Sequence, residues 1–289
     1  MAYANTIDLH MHSTVSDGTD TPGQLLDRVK AAGLTLFALT DHDAVKGCHL
    51  LRQRCAQDTD APRFVCGVEL SCRDEGGKYH ILGYGFDPDA EPINRVVAHS
   101  HRLRMEKVQG RLSGLKTEFG VSFPPEEVDT LLAMDNPGKP HIGNLMVKYG
   151  FAPTKEVAIR DFIDRIHLHS EHIRPPEVIS GILDSGGIPV LAHPVYGSGD
   201  QLILGDELAE RVRHLTALGL RGLEAYYSGF TEKLRGMVLA LADAFDLYVT
   251  AGSDYHGSNK MVTPGDTGLA DVADLPDRLR RFLDALPLS

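Results

Sequence analysis

The stretch that decides the fold is Thr6-Ile7-Asp8-Leu9-His10-Met11-His12, near the start of a chain of 289 residues. Polar and apolar residues alternate along it, which is typical of a β-strand and places Asp8, His10 and His12 on one face. Imidazoles and carboxylates are common metal ligands. His-x-His alone, however, is more often packing or surface than a ligand pair. The decision between these alternatives depends on the rest of the chain.

Short strands and helices alternate through most of the sequence. Thr21-Pro22 predicts a helix start, with a threonine cap before proline, and Gly33 predicts the end of that helix. Strands are predicted at 6–11, 34–40, 64–70, 79–86, 188–192, 222–227 and 247–251, and further helices at 45–57, 177–185, 207–218, 232–245 and 275–286. Repeated β-then-α units indicate parallel strands covered by helices, hence an α/β barrel or a wound sheet.

Residues 93–175 have a different pattern. Helices are predicted there at 99–119, 125–134, 142–149 and 155–165, with almost no strand pattern. We therefore predict an α/β catalytic body formed by residues 1–92 and 176–289. Residues 93–175 would form a helical insertion into that body.

Side chains that can bind metals stand at nearly every predicted strand end. In a parallel α/β barrel these ends open onto one rim, so the side chains are expected to converge there. Taken alone, His80 is the weakest candidate for a metal ligand, because it lies near the start of a strand. Chance placement of the whole set is improbable, which favours a metal site over unrelated packing. Mixed imidazole and carboxylate ligands suit zinc, manganese or iron, and paired ions can clamp a phosphoryl group.

Composition narrows the class of protein. A formal net charge of −11 argues against a DNA coat protein, although bound divalent cations can reverse the local sign of a pocket. No apolar run approaches a membrane span, and no signal-peptide pattern is seen at the amino terminus, so a cytoplasmic protein without a membrane partner is expected. No heptad pattern predicts an oligomer. The chain has four cysteines, and their spacing matches no metal-binding motif. They are therefore expected to be reduced thiols: Cys48, Cys55, Cys66 and Cys72.

Several motifs together resemble the PHP (polymerase and histidinol phosphatase) superfamily. They are Asp8-Leu-His10-x-His12-Ser with Asp17, Thr40-Asp41-His42-Asp43, Gly67-Val-Glu69, Ala192-His193-Pro194 and Ser253-Asp254-x-His256. The helical insertion is similar to that of a branch containing 3′,5′-nucleoside bisphosphate phosphatases and their RNA-exonuclease relatives. The resemblance implies a distorted seven-stranded (β/α) barrel in which the insertion caps the substrate.

The resemblance also implies a trinuclear centre of three divalent ions, with Mn²⁺ favoured and Zn²⁺ or Fe²⁺ as alternatives. One ion would take His10, His12, Glu69 and Asp254. A second would share Glu69 and add His80 and His193, and the third would take Asp17, His42 and His256. Asp8, Asp41 and Asp43 would orient the ligand histidines. The catalytic group would be a metal-bound hydroxide, and no side chain is predicted to act as a catalyst.

Substrate contacts are predicted outside this cluster. Arg104, Lys107 and Arg111 recur at intervals of three and four residues and therefore share one helix face. This face is either a solvated surface or a phosphate clamp, and the resemblance supports the clamp through Arg104 and Lys107. Lys139 and His141 lie in a motif of the branch that usually has arginine at position 139. If Lys139 binds phosphate, it does so without the two parallel hydrogen bonds that an arginine can donate. For His141 the alternative to substrate binding is a structural role.

The activity that the resemblance implies is removal of the 3′-phosphate from nucleoside 3′,5′-bisphosphates such as pAp. Short 5′-phosphorylated RNAs are related candidate substrates. The alternatives are a histidinol-phosphate phosphatase, a polymerase-associated PHP module without independent catalysis, and a barrel hydrolase acting on carbon–nitrogen bonds. The complete ligand set counts against the module. Glu69 counts against the carbon–nitrogen hydrolase, because a modified lysine often bridges the metals there.

Overall fold

The structure is a computed structural model, and it describes residues 6–168, 171–198, 201–269 and 275–287. The chain divides into two compact units. One comprises Met1–Val97 together with Ile173–Ser289, and the other comprises Ala98–His172. Among the helices in the described ranges, none combines the length and the apolar composition of a membrane span.

The first unit contains a seven-stranded sheet whose strands follow one another in chain order. The strands are β1 (Ile7–Asp8), β2 (Leu36–Leu39), β3 (Arg63–Asp74), β4 (Gly77–Tyr84), β5 (Ile188–Leu191), β6 (Gly222–Tyr227) and β7 (Tyr248–Gly252). The first strand meets the last, because the Leu9 amide donates to the Ala251 carbonyl at 2.9 Å and the Asp254 amide donates to the His10 carbonyl at 2.8 Å. These bonds confirm the predicted distorted barrel and exclude an open wound sheet.

Strand β4 departs from the predicted parallel arrangement. It pairs antiparallel with both β3 and β5. Residues 75 and 76 alone separate it from β3, a connection far too short for the helical crossover that parallel strands need. Gly77 takes a φ of 129° at this hairpin, a conformation open to glycine. Because β4 runs backwards, its first half lies beside the end of β3, and His80 pairs with Ser71.

In the described part of the first unit, six helices accompany the barrel strands, besides the first turns of the long helix that continues into the second unit. They are α1 (Pro22–Ala31), α2 (Lys46–Gln57), α7 (Pro175–Asp184), α8 (Gly205–Ala217), α9 (Glu232–Ala244) and α10 (Asp277–Ala285). The predicted start of α1 is confirmed, since the Thr21 hydroxyl accepts from the Gln24 amide at 3.3 Å while the Gln24 side chain accepts from the Thr21 amide at 2.9 Å. This reciprocal cap satisfies two backbone donors that the first turn leaves without partners.

The second unit is helical, as the sequence predicts for this part of the chain. Helix α3 (Glu91–Phe119) begins earlier than predicted, and its residues from Ala98 onward belong to this unit. It is followed by α4 (Pro125–Leu132), α5 (Lys139–Lys148), α6 (Lys155–Asp161) and a 3-10 turn at Ile163–Arg165. Their apolar faces form a separate core that includes Val108, Leu115, Leu131, Ile142 and Met146. A core of its own is what a distinct compact unit requires.

Candidate metal centre

The buried carboxylate of Glu69 lies at the middle of five imidazoles. Its Oε2 atom lies 3.1 to 3.2 Å from His10 Nε2, His12 Nε2 and His42 Nδ1. Its Oε1 atom lies 3.0 Å from His80 Nδ1 and 3.1 Å from His193 Nε2. Burial opposes ionisation, yet the neighbouring imidazoles of His42 and His10 hold the pKa of Glu69 well below its usual range.

Two further carboxylates extend this cluster. Asp254 Oδ1 lies 3.5 Å from both His10 Nε2 and His12 Nε2, and 3.3 Å from His256 Nδ1. Asp17 Oδ1 lies 3.3 Å from His256 Nε2, and its other oxygen lies 4.0 Å from His42 Nε2. The structure therefore brings together all nine predicted metal-binding side chains, from six strands or strand ends and the loops beside them.

The hydrogen-bond partners of the imidazoles assign proton positions that suit a cation site. His10 Nδ1 lies 2.8 Å from Glu224 Oε1, so this nitrogen is the N–H donor and Nε2 carries the lone pair. That Nε2 atom lies only 3.1 Å from His12 Nε2 and faces Glu69 Oε2. His256 is fixed in the same way, because its Nδ1 lies 2.9 Å from the Asp254 carbonyl. Lone pairs of nitrogen and oxygen thus converge, and divalent ions would satisfy them.

Among the described residues, three overlapping groups of ligand atoms are each compact enough to hold an ion. Their members are His10, His12 and Glu69; His42, Glu69 and His80; and His12, Asp17, His42 and His256, with all ligand atoms of a group within 4.8 Å of one another. Glu69 belongs to two of these groups, which fits its predicted role as a bridge. The distribution of side chains among three ions stays a prediction.

The three aspartates predicted to support the ligands bind the loops that carry them. Asp8 accepts from the amides of His10, Ser253 and Gly265 at 3.2, 3.0 and 2.8 Å. Burial raises the pKa of Asp8 to about 6, although these hydrogen bonds lower it. The Asp8 carboxylate therefore ties the first strand to the segment after the last one.

Asp41 and Asp43 act in the same manner at neighbouring loops. Asp41 accepts from the Ser13 amide at 2.7 Å and from the hydroxyls of Ser13 and Ser16 at 2.8 Å. Asp43 accepts from the Ser71 amide at 3.0 Å. These bonds hold the turn between His12 and Asp17 and the end of β3; that the aspartates thereby orient metal ligands stays a prediction.

Backbone strain is concentrated at this site. Asp43, His193 and Asp254 have φ values of 51°, 27° and 57°, in the left-handed region that few residues other than glycine adopt. Such conformations cost of order 1–3 kcal/mol each and persist where surrounding contacts enforce them. For His193 the enforcing contact is a hydrogen bond, in which its backbone amide donates to Glu224 Oε2 at 2.8 Å.

Glu224 is a site residue that the sequence analysis missed. It lies within β6 with its side chain fully buried, and its two oxygens bind His10 Nδ1 and the His193 amide. A signal was present, because Glu224 is the one carboxylate in the otherwise apolar and aromatic strand Gly222–Tyr227. Buried carboxylates are rare unless they have a partner. Tyr227 and Lys260, which contact Asp254, were missed as well.

Replacing Glu224 with glutamine should lower metal affinity by about 10- to 100-fold, the usual cost of losing a group that orients a ligand. Two N–H donors face Glu224, and glutamine offers one acceptor oxygen, so one donor loses its partner. Titration against a chelating dye measures the effect. Glu210→Gln is the matched control, because the Glu210 side chain is 71% exposed on α8. Equal affinities for Glu224→Gln and wild type would contradict the assigned role.

The basic residues of α3 lie on one half-buried face. Arg104, Lys107 and Arg111 are each partly buried, whereas Arg102, on another face of the same helix, is exposed and pairs with Glu106 at 2.6 Å. Burial lowers the pKa of Arg111, and Asp164 and Arg104 act on it in opposite directions. Lys107 Nζ lies 3.1 Å from His172 Nδ1, which adds another basic group. A face of this kind concentrates positive charge.

Lys139 and His141 have partners within the helical unit. Lys139 Nζ forms an ion pair with Asp164. His141 Nδ1 accepts from the Gly138 amide at 3.1 Å and so caps the start of α5. His141 also lines a cavity of about 140 Å³ beside Leu131 and Met134. The structural role for His141 is therefore observed, while substrate binding by either residue stays a prediction.

Comparison with known proteins agrees with this geometry. Relatives include a 5′-3′ exoribonuclease of Haemophilus influenzae, 28% identical over 86% of this chain and 89% of its own length. A 3′,5′-nucleoside bisphosphate phosphatase of Chromobacterium violaceum is 29% identical over 93% of this chain and 92% of its own.

A solved structure and a family model add to these relatives. A Bifidobacterium adolescentis protein regarded as a metal-dependent phosphoesterase superposes with a TM-score of 0.79 at 26% identity, covering 100% of this chain and 99% of that one. The model of the PHP domain matches residues 8–164, more than half of the chain and all but three of the predicted metal-binding residues. The chain therefore belongs to the PHP domain family of phosphoesterases.

Proposed function

We propose that this phosphoesterase removes the 3′-phosphate from nucleoside 3′,5′-bisphosphates such as pAp and leaves the 5′-monophosphate. The observation that carries the choice of substrate is the half-buried basic face of α3, formed by Arg104, Lys107 and Arg111. A monophosphate engaged at the metal centre needs no second cationic site. A bisphosphate does, because its other phosphate also carries nearly two negative charges.

The metal centre would hold three divalent ions, with Mn²⁺ favoured. When bound, such ions polarise phosphoryl oxygens and lower the pKa of water. The protein's part is to keep the ligand atoms in place. Glu224 fixes the proton of His10 on Nδ1, so that Nε2 points at the centre. Asp41 holds the serines of the turn between His12 and Asp17, and Glu69 presents one oxygen to each side of the cluster.

In this proposal Arg104 and Lys107 bind the 5′-phosphate. The planar guanidinium of Arg104 can donate two parallel hydrogen bonds to phosphate oxygens, while Lys107 contributes a point charge. Lys139 would add to this contact only if its ammonium left Asp164 and bound the substrate phosphate instead. His141 is a weaker candidate because its Nδ1 already caps α5.

Hydrolysis of short 5′-phosphorylated RNA is the second candidate function. It is supported by the relative that is a 5′-3′ exoribonuclease, which matches this chain about as well as the bisphosphate phosphatase does. The same basic residues would bind the terminal phosphate of such an RNA. The two candidates differ in the bond that is broken, a phosphomonoester in pAp and a phosphodiester in RNA.

The decisive experiment measures kcat/KM of manganese-loaded protein on pAp, 3′-AMP, 5′-AMP, histidinol phosphate and a 5′-phosphorylated trinucleotide. We expect pAp to exceed both monophosphates by at least about tenfold, or about 1.4 kcal/mol of transition-state stabilisation. Turnover of histidinol phosphate with inert nucleotides would refute the proposal. Preference for the trinucleotide would establish the exoribonuclease instead.

Arg104→Ala should lower kcat/KM on pAp by about 10- to 100-fold, since hydrogen bonds to charged groups contribute about 1.5–3 kcal/mol. Activity on 3′-AMP should change little, because that substrate lacks the 5′-phosphate. Arg102→Ala is the matched control on the same helix, where the side chain is 56% exposed. An equal loss on pAp and 3′-AMP would show that Arg104 does not recognise the 5′-phosphate.

A further inference from the structure

We infer that Tyr227 and Lys260 are positioning residues of the metal centre, which hold one oxygen of Asp254 so that the other faces the metals. The inference rests on the proposed metal-binding role of Asp254, and it does not depend on which phosphoester is the substrate. It concerns contacts that neither the sequence motifs nor the predicted ligand set includes.

The two oxygens of Asp254 have different surroundings. Oδ1 faces the imidazoles of His10, His12 and His256 at 3.3 to 3.5 Å. Oδ2 accepts a hydrogen bond from the Tyr227 hydroxyl at 2.9 Å and pairs with the Lys260 ammonium. A carboxylate whose second oxygen is occupied in this way can offer a metal only one oxygen.

Tyr227 and Lys260 also support each other. Lys260 Nζ lies 2.9 Å from the Tyr227 hydroxyl oxygen, so the ammonium can donate to that oxygen while the hydroxyl proton points to Asp254. The ammonium lies 5.1 Å from the centre of the Tyr227 ring.

The backbone that carries these groups is anchored to the site. Tyr227 is the last residue of β6, and Lys260 follows a 3-10 turn at Gly257–Asn259. In that turn the Ser258 amide donates to the Thr19 hydroxyl at 2.9 Å, and the Asn259 side chain donates to the Asp17 carbonyl at 2.8 Å. The turn that places Lys260 is therefore tied to the loop that supplies Asp17.

An ordinary surface ion pair does not account for this arrangement. Exposed pairs contribute about 0–1 kcal/mol because water screens them. Here the side chain of Asp254 is 10% exposed and that of Lys260 is 33% exposed. A lysine charge near the metals would by itself repel them. If Lys260 acted only through its charge, its removal would strengthen metal binding, whereas a positioning role predicts weaker binding.

Metal affinity separates these alternatives without any substrate. Lys260→Met and Tyr227→Phe should each weaken Mn²⁺ binding, measured by competition with a chelating dye, by about tenfold or more for at least one ion. Lys260→Arg should restore most of the affinity, because it keeps a cationic donor. Lys233→Met, at an exposed position of α9, is the control and should not change it.

Circular dichroism of each variant in excess chelator checks that the metal-free fold is intact. Unchanged or tighter Mn²⁺ binding by folded Lys260→Met would overturn the inference, as would failure of Lys260→Arg to bind better than Lys260→Met. Because the titration needs no phosphoester, an incorrect substrate proposal would leave its result unaffected.

Discussion

Replacing Glu69 with glutamine should lower phosphoesterase activity by at least about a thousandfold, equivalent to about 4 kcal/mol of transition-state stabilisation. Glutamine has the same size and keeps one oxygen, so the barrel should still fold. It removes the negative charge that five imidazoles surround, and it replaces one ligand oxygen with an N–H₂ group that cannot bind a metal. Phosphate release and bound metal per chain measure the two consequences.

The control for Glu69→Gln is again the exposed Glu210→Gln, which should retain wild-type activity and metal content. The assay should use whichever phosphoester the wild-type protein hydrolyses fastest, so that the result does not depend on the bisphosphate proposal. A Glu69→Gln variant with more than a tenth of wild-type activity would show that the imidazole cluster is not the catalytic centre.

Phe282→Ala should lower the free energy of unfolding by about 3–5 kcal/mol, as expected when a large buried ring leaves a cavity. Phe282 is fully buried on α10. The centre of its ring lies 5.4 Å from that of Tyr84 and 6.0 Å from that of Tyr248. These tyrosines lie on β4 and β7, so the cavity would open between the last helix and the barrel wall. Urea unfolding of the metal-free protein measures the loss.

Arg280→Ala on the same helix is the comparison for Phe282→Ala. The Arg280 side chain is 54% exposed, so its loss should change the free energy of unfolding by no more than about 0.5 kcal/mol. The folded fraction of Phe282→Ala should keep its metal content, because the aromatic rings that Phe282 packs against, Tyr84 and Tyr248, are not predicted ligands. Equal stabilities of the two variants would show that α10 does not stabilise the barrel.

Much of the candidate metal centre was predictable from local sequence. His10 and His12 share a face because strand side chains alternate, and Asp17, His42, Glu69, His193, Asp254 and His256 follow strand signals that depend only on nearby residues. The start of α1 was predictable for the same reason, since Thr21 and Gln24 cap within one turn. Barrel topology then explains why such distant motifs meet on one rim.

His80 shows where this reasoning stops. Its place near a strand start makes it a poor candidate in a barrel of parallel strands. It reaches Glu69 because β4 runs antiparallel, and strand direction is set by pairing with β3 and β5 rather than by the residues around His80. The family resemblance identified His80 as a candidate ligand. The alternation of polar and apolar residues in its strand would not have done so.

Tertiary structure alone decided how the ligands are supported. Glu224 lies 214 residues from His10, and the Tyr227–Lys260 pair closes on Asp254 from different strands and loops. Spacing places Arg104 and Lys107 on one helix face, but their partial burial depends on tertiary packing. The sequence determined which residues can bind metals, because strand period and helix capping are local. The partners of a buried charge were decided by the fold, because they come from segments that meet only when the barrel closes.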